Sequence, residues 1–271
     1  MLDAKDNSPT STSERTSKSS AITIIRVFFT PFSCAQLPSR VSLGHGSTFE
    51  YFQLSLVMYI AIEGVIGVGK TTLARLLQPV FDAILLLEVF EENPFLSDFY
   101  GDRSRYAFQT QIFFLLSRYQ QQYGVVPQAI AKGNLIADYT FDKDALFARL
   151  NLVGDELATY TLVHEALAER IPIPDLVVYL KVDTDIALQR IAMRDRSYER
   201  LIERSYIEDL NQAYEAYFSD QKIYPVLKID TNSLNYVTQR NHLEHVAKRI
   251  RAALGIPPFQ PELPLSGGPS L

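Results

Sequence analysis

From residue 58 onward the chain alternates between two hydrophobic rhythms. Short apolar runs occupy 59–63 (closing on Gly64), 83–87, 135–137, 176–182 and 226–229, and are rich in Ile, Leu and Val. They lack a polar alternation, which marks parallel strands buried on both faces. Between them, apolar residues recur at intervals of three and four over 103–123, 155–170, 185–194, 203–218 and 239–254, the spacing of one helix face. Strands alternating with helices predict an α/β fold, a parallel sheet covered on both sides. Asp183-Thr184-Asp185 offers a cap for the helix starting at 185. Tyr206, Leu210, Ala213, Tyr214 and Tyr217 suit the buried stripe of the next one.

The two ends follow neither rhythm. Residues 1–57 hold 11 Ser and 6 Thr, 17 in 57, whereas residues 58–271 hold 9 and 9, 18 in 214. The first twenty residues cannot build a hydrophobic face and are expected to be disordered. The apolar runs at 21–30 and 51–62 are interrupted by Arg26, Gln53 and Ser55, and both are shorter than the ~20 residues of a membrane helix. A transit peptide is basic and poor in acids, yet Asp3, Asp6, Glu14 and Glu50 stand here against five Lys or Arg. The expected organisation is therefore an extension over 1–57, disordered or a spurious product of a start upstream of Met58, then a globular domain over 58–256. The breaker-rich segment 257–271 is expected to be a flexible tail.

Charge and cysteine content narrow the classes. With 26 basic and 31 acidic residues the formal charge is 26 − 31 = −5, so a basic nucleic-acid footprint is absent. One cysteine, Cys34, excludes an internal disulfide framework and a cysteine-based zinc site, and suits a reducing compartment such as the cytoplasm. His242 and His245 lack a third ligand and are expected on a solvated helix face.

Gly64-Val65-Ile66-Gly67-Val68-Gly69-Lys70-Thr71 matches GxxxxGK[ST], with an apolar run before it and a helical pattern over 71–77 after it. Glycines there let the backbone wrap phosphate oxygens at a helix N-terminus. Lys70 is expected on the β and γ phosphates and the Thr71 hydroxyl on Mg²⁺, with Thr72 completing the ATP-binding run.

Three further groupings concern whatever accepts the phosphate. Glu88 follows the apolar run at the carboxyl end of a strand, where open α/β sheets bind ligands. It either takes a hydroxyl proton or simply faces water. Gln111 and Arg118, seven residues apart and so on one helix face, are embedded among Ile112, Phe113, Phe114, Leu115 and Leu116. A Gln amide suits a nucleobase edge and Arg suits a carbonyl oxygen; Arg118 pairing with a carboxylate is the plainer reading. Arg190, Arg194 and Arg196, close to Glu199, either bear charge on a transferring phosphoryl group or form a basic helix end.

Taken together, YIAIEGVIGVGKTT, EVFEENPFLSDFY, RYAFQTQIFFLLSRYQQ, ADYTFDKDALFA and RIAMRDRSYER occur in the order found in the deoxynucleoside kinase family. The resemblance runs from Met58 to Leu254 and is strongest to the bacterial deoxyguanosine/deoxyadenosine kinase branch. It implies a P-loop kinase fold with a five-stranded parallel sheet flanked by helices, an arginine lid, and a homodimer. It implies Glu88 as the base for the 5′-hydroxyl, Tyr100 and Glu199 on the 3′-hydroxyl, and Gln111 and Arg118 on the base. It further implies Arg190, Arg194 and Arg196 as the lid over ATP, with the 230–236 loop beside adenine. Asp138 corresponds to the acidic start of the family's Asp/Glu-Arg-Ser motif, a Mg²⁺ ligand or proton acceptor. Tyr139-Thr140 replaces Arg-Ser, which leaves the division of labour between Glu88 and Asp138 open. A second base-contacting carboxylate falls to Asp142 or Asp144, with Asp144 the expected one.

The expected activity is ATP- and Mg²⁺-dependent phosphorylation of a purine deoxynucleoside in nucleotide salvage, guanine ahead of adenine. A nucleoside monophosphate kinase, such as a thymidylate kinase, is the nearest rival. It needs extra cations for the acceptor's phosphate, for which the region supplies Arg103, Arg105 and Arg118. A non-kinase P-loop regulatory module is the other, disfavoured by the acidic charge.

Overall fold

In a computed structural model of the protein, residues 57–90 and 92–257 are described. The expectations for 1–56 and for the tail beyond 257 lie outside them. The chain divides into Met1–Phe52, likewise outside, and the unit Gln53–Leu271 that contains every element below.

Five parallel strands form the sheet: β1 (Tyr59–Gly64), β2 (Ala83–Leu86), β3 (Asn134–Ala137), β4 (Leu176–Lys181) and β5 (Val226–Asp230), in the order β2-β3-β1-β4-β5. Register sets Ala61 opposite Ala137 on one side and opposite Val177 on the other. Every residue of β1 is buried, as a central strand covered on both faces requires. β1 is central, so the chain leaves it toward both edges and opens a crevice at the carboxyl ends, where doubly wound sheets hold ligands.

The helices are α1 (Lys70–Phe81), α2 (Leu96–Gly101), α3 (Arg103–Ile130), α4 (Lys143–Asn151), α5 (Gly154–Ala168), α6 (Thr184–Arg194), α7 (Arg204–Asp220) and α8 (Arg240–Ala253), with a 3₁₀ turn at Ser197–Leu201. α3 runs a further two turns beyond its expected end at 123, through Gly124 and Pro127. Those residues cost a helix ~1 and ~3 kcal/mol, and burial of Val126 and Ala129 in the core offsets them. α2, six residues, and α4, nine, were not expected as helices. Asp183 stands at the start of α6, but its side chain makes no cap bond; its N–H donates instead to Asn232 Oδ1 at 2.8 Å. Tyr206, Leu210 and Tyr214 are buried as the stripe of α7 demands. No described helix is long and apolar enough to cross a membrane.

Candidate active site

The glycine loop joins β1 to α1. Gly67 has φ 85°, and a Cβ there would lie 2.6 Å from the Ala187 carbonyl oxygen. Gly69 has φ 103°, and a Cβ there would lie 2.5 Å from the Tyr236 hydroxyl. Only glycine satisfies both the left-handed backbone and the close approach. Val65 and Val68 are buried and anchor the loop, while Lys70 Nζ folds back to donate to Gly64 O at 2.7 Å and Val65 O at 3.1 Å. Burial, reinforced by the nearby Lys143 charge, lowers the Lys70 ammonium to about 8.

Thr71 Oγ1 donates to Asp138 Oδ2, and Asp138 Oδ1 accepts the Glu88 N–H at 2.7 Å. The ends of β2 and β3 are thereby tied to the start of α1. A hydroxyl beside a carboxylate next to the loop lysine is a hard-oxygen donor set, which suits Mg²⁺ completed by water and phosphate. The other expected ATP-side residues, Thr72, Arg190 and Arg194, line one cavity with Gly67, Val68 and Gly69, bordered by the 232–237 loop.

The acceptor side is a chain of alternating charges. Glu88 Oε1 accepts from Arg118 Nε at 3.0 Å and from Arg118 Nη2, and Oε2 accepts from Lys143 Nζ at 2.6 Å. Arg118 Nη1 pairs in turn with Asp144, which is fully buried, and its guanidinium stacks 4.6 Å over Phe114. Burial pushes the Glu88 carboxyl up, but the Arg118 and Lys143 charges outweigh it and hold the group well below the usual carboxylate range. Arg118 itself is raised, burial being outweighed by Glu88. Asp142, the competing carboxylate, points elsewhere and accepts the Tyr224 hydroxyl at 2.7 Å.

Glu88, Tyr100, Gln111, Arg118, Asp138, Lys70, Thr71, Arg194, Arg196 and Glu199 all line one cavity. Gln111 Oε1 is buried there without a hydrogen-bond partner. Burial raises the Tyr100 hydroxyl well above its ordinary value, so it stays a donor, and its ring stacks against Tyr198. Arg194 donates to both oxygens of the buried Glu199, at 2.6 and 2.7 Å from Nη2, and Arg196 lies 3.6 Å from the same carboxylate and 4.0 Å above the Phe90 ring. Ile66 borders the same cavity.

Arg190, expected in the lid, lines the cavity beside the glycine loop. Its guanidinium donates to Val68 O at 3.0 Å, Thr231 Oγ1 at 3.3 Å and Thr231 O at 2.9 Å. It ties the loop after β5 to the glycine loop. His242 Nδ1 accepts the Asn235 N–H at 2.9 Å, a hydrogen bond within the loop-to-helix turn.

Two participants were missed in the sequence. Lys143 reads as one charge among Asp142, Lys143 and Asp144, and only folding turns it onto Glu88. Glu63, fully buried in β1, carried a visible signal: a carboxylate inside an apolar strand must find donors. It accepts from Gly64 N, Thr140 N (2.6 Å), Thr140 Oγ1 (2.9 Å) and Tyr214 OH (3.1 Å), which joins the glycine loop, the segment after Asp138 and α7.

Comparison with known proteins places the chain among relatives of one family. The family model for deoxynucleoside kinase matches residues 60–254. Deoxyguanosine kinase of Bacillus subtilis is 35% identical over 198 residues, covering 71% of this chain and 96% of the relative. Deoxyadenosine kinase of Dictyostelium discoideum is 33% identical, covering 74% and 84%. The solved structure of M. mycoides deoxyadenosine kinase with products dCMP and a flexible dCDP superposes with a TM-score of 0.63 at 28% identity, covering 72% of this chain and 99% of that one. The same kinase with bound dATP gives 0.62.

Proposed function

The chain belongs to the deoxynucleoside kinase family, and we propose that it transfers the γ-phosphoryl group of ATP to the 5′-hydroxyl of a purine deoxynucleoside, deoxyguanosine ahead of deoxyadenosine. The carrying observation is that the Glu88–Arg118 pair and Lys70, Thr71 and Asp138 line the same cavity. The acceptor's carboxylate and the phosphate loop thus face one reaction space. The relatives' names support a purine: one is a deoxyguanosine kinase and another a deoxyadenosine kinase.

In the mechanism, the glycine loop and Lys70 hold the β and γ phosphates, and Thr71 and Asp138 would hold Mg²⁺. That ion, when bound, neutralises charge on the phosphate oxygens. Glu88, ionised across the working pH range, accepts a hydrogen bond from the 5′-hydroxyl and then its proton as the oxygen attacks in line. The transition state is loose, so orienting the hydroxyl matters more than a strong base. Tyr100 and Glu199 hold the 3′-hydroxyl. Gln111, Arg118 and Asp144 present donors and acceptors to the base. Arg194 and Arg196 cover the phosphates from the 194–199 segment, exchanging Glu199 for phosphate oxygens as substrates enter.

A monophosphate kinase fits less well. Arg103 is held by Glu203 at 2.6 Å and stacks over Tyr206, and neither it nor Arg105 lines the cavity. Of the three arginines only Arg118 faces it, already paired with Glu88 and Asp144. Family membership removes the non-kinase module.

Exposed Leu116, Tyr123 and Val125 on α3 and Leu162 on the adjoining α5 support a homodimer, readable as molecular mass by light scattering. A chain with one cysteine that uses ATP with Mg²⁺ fits the cytoplasm. The deciding experiment offers ATP with each of the four deoxynucleosides and with deoxyguanosine monophosphate. Deoxyguanosine or deoxyadenosine should be phosphorylated fastest; preference for the monophosphate overturns the reading.

A further inference from the structure

We propose that Lys143 is a positioning residue for phosphoryl transfer, which fixes the second oxygen of Glu88 so that this carboxylate meets the 5′-hydroxyl in one orientation. The inference rests on the reading of Glu88 as proton acceptor.

Lys143 is an expensive residue where it stands. Its side chain is 8% exposed, and a buried ammonium carries a large desolvation cost. It is also the first residue of α4, and a cation at a helix N-terminus opposes the helix dipole. Glu88 Oε2, at 2.6 Å, is the ion-pair partner that offsets both. The ring of Phe147, 5.5 Å from Nζ, covers the ammonium from another side.

The two oxygens of Glu88 are held by different elements. Arg118 of α3 places two of its donors on Oε1 and a third nitrogen on Asp144, so Oε2 depends on α4. A carboxylate held at one oxygen can still turn about its last torsion, which is broad. Held at both, it cannot. No cation comes from Tyr139, the residue after Asp138, whose hydroxyl donates to Gln121 at 2.6 Å. Lys143 lines the same cavity as Lys70, Thr71 and Glu88.

The test is a double-mutant cycle of Lys143→Met and Glu88→Gln, with Lys143→Arg as the conservative variant. Lys143→Met should lower kcat about a hundredfold, the scale of a misplaced reacting group, while KM for ATP stays within about twofold. Lys143→Arg should restore most of that loss. In the Glu88→Gln background, Lys143→Met should lower kcat by less than about threefold, since the carboxylate it positions is gone. Equal losses in both backgrounds would show Lys143 acting independently of Glu88 and overturn the proposal. Near-normal turnover of Lys143→Met beside a collapsed Glu88→Gln overturns it too, with the role of Glu88 intact. Near-normal turnover of Glu88→Gln instead removes the base reading. If Lys143→Met does not fold, Lys143→Gln, which keeps length and polarity, is judged by the same outcomes.

Discussion

Arg118 bridges two carboxylates that come from different parts of the chain: its Nε and Nη2 meet Glu88 and its Nη1 meets Asp144. All three are largely or fully buried, and Arg118 is the one cation paired with Asp144 among the described residues. One side chain therefore couples the carboxylate proposed as proton acceptor to the one proposed to lie beside the base. Replacing Arg118 by Met should cost ~3–5 kcal/mol of stability, because a buried carboxylate is left uncompensated. It should also blur discrimination among deoxynucleosides while leaving KM for ATP nearly unchanged. Denaturant unfolding and a four-nucleoside rate panel check both; an effect confined to ATP contradicts the assignment.

Glu88→Gln should reduce turnover by about 10²–10⁴, the range for losing a positioned base, with ATP binding by calorimetry near that of the unaltered protein. A pH signature accompanies it. The folded carboxyl lies below its ordinary value near 4.5, with Arg118 and Lys143 outweighing burial. Glu88 thus stabilises the fold above that value, and the stabilisation is lost as pH falls below it toward the folded-state pKa. Acid unfolding of the Gln variant should lack this part of the slope; identical acid profiles would contradict the ion-pair account.

Asp138→Asn keeps an oxygen for the Glu88 N–H but loses the charge beside Thr71. The Mg²⁺ concentration needed for half-maximal rate should rise ~10–100-fold, with partial recovery at high Mg²⁺. An unchanged Mg²⁺ titration would remove Asp138 from the metal site. Loss that no Mg²⁺ restores would shift the proton-accepting role toward it.

Lys70 titrates within an accessible range, lowered to about 8 by burial and by Lys143. Its ammonium is lost as pH rises through that value, so ATP affinity of the free enzyme should weaken above about pH 8. Equilibrium titration with ATP from pH 7 to about 9.5 measures it. A flat affinity would mean the lysine keeps its proton.

The sheet is already anchored at residue 58. Met58 N–H donates to Asn134 Oδ1 at 3.1 Å, its carbonyl accepts from Leu135 N at 2.8 Å, and Tyr59 N–H donates to Asp175 Oδ2 at 2.7 Å. A chain beginning at Met58 should keep its melting temperature and its kcat/KM within about twofold. A lower melting temperature would show that residues before 58 belong to the core.

By itself the sequence determined the strands, most of the helices and the phosphate loop. A parallel strand buried on both faces writes itself as a contiguous apolar run, and the loop draws its contacts from eight consecutive residues, largely from backbone. It also supplied the candidates Glu88, Gln111, Arg118 and Asp138, but as separate observations. Only the tertiary structure decided which of them meet. Glu88 gains its second cation from Lys143, 55 residues on. Asp144 rather than Asp142 turns toward Arg118, because Asp142, the N-cap of α4, and Asp144, in its first turn, point to opposite sides, the first to Tyr224 and the second to the site. Arg190 and Arg194, one helical turn apart on the same face, part company for a similar reason. Arg190 finds a carbonyl on the packed loop after β5, while Arg194 reaches the 3₁₀ turn and Glu199. Charge pairing depends on distances of a few ångströms between elements, and nothing in the local pattern encodes those distances until the sheet has brought its carboxyl ends together.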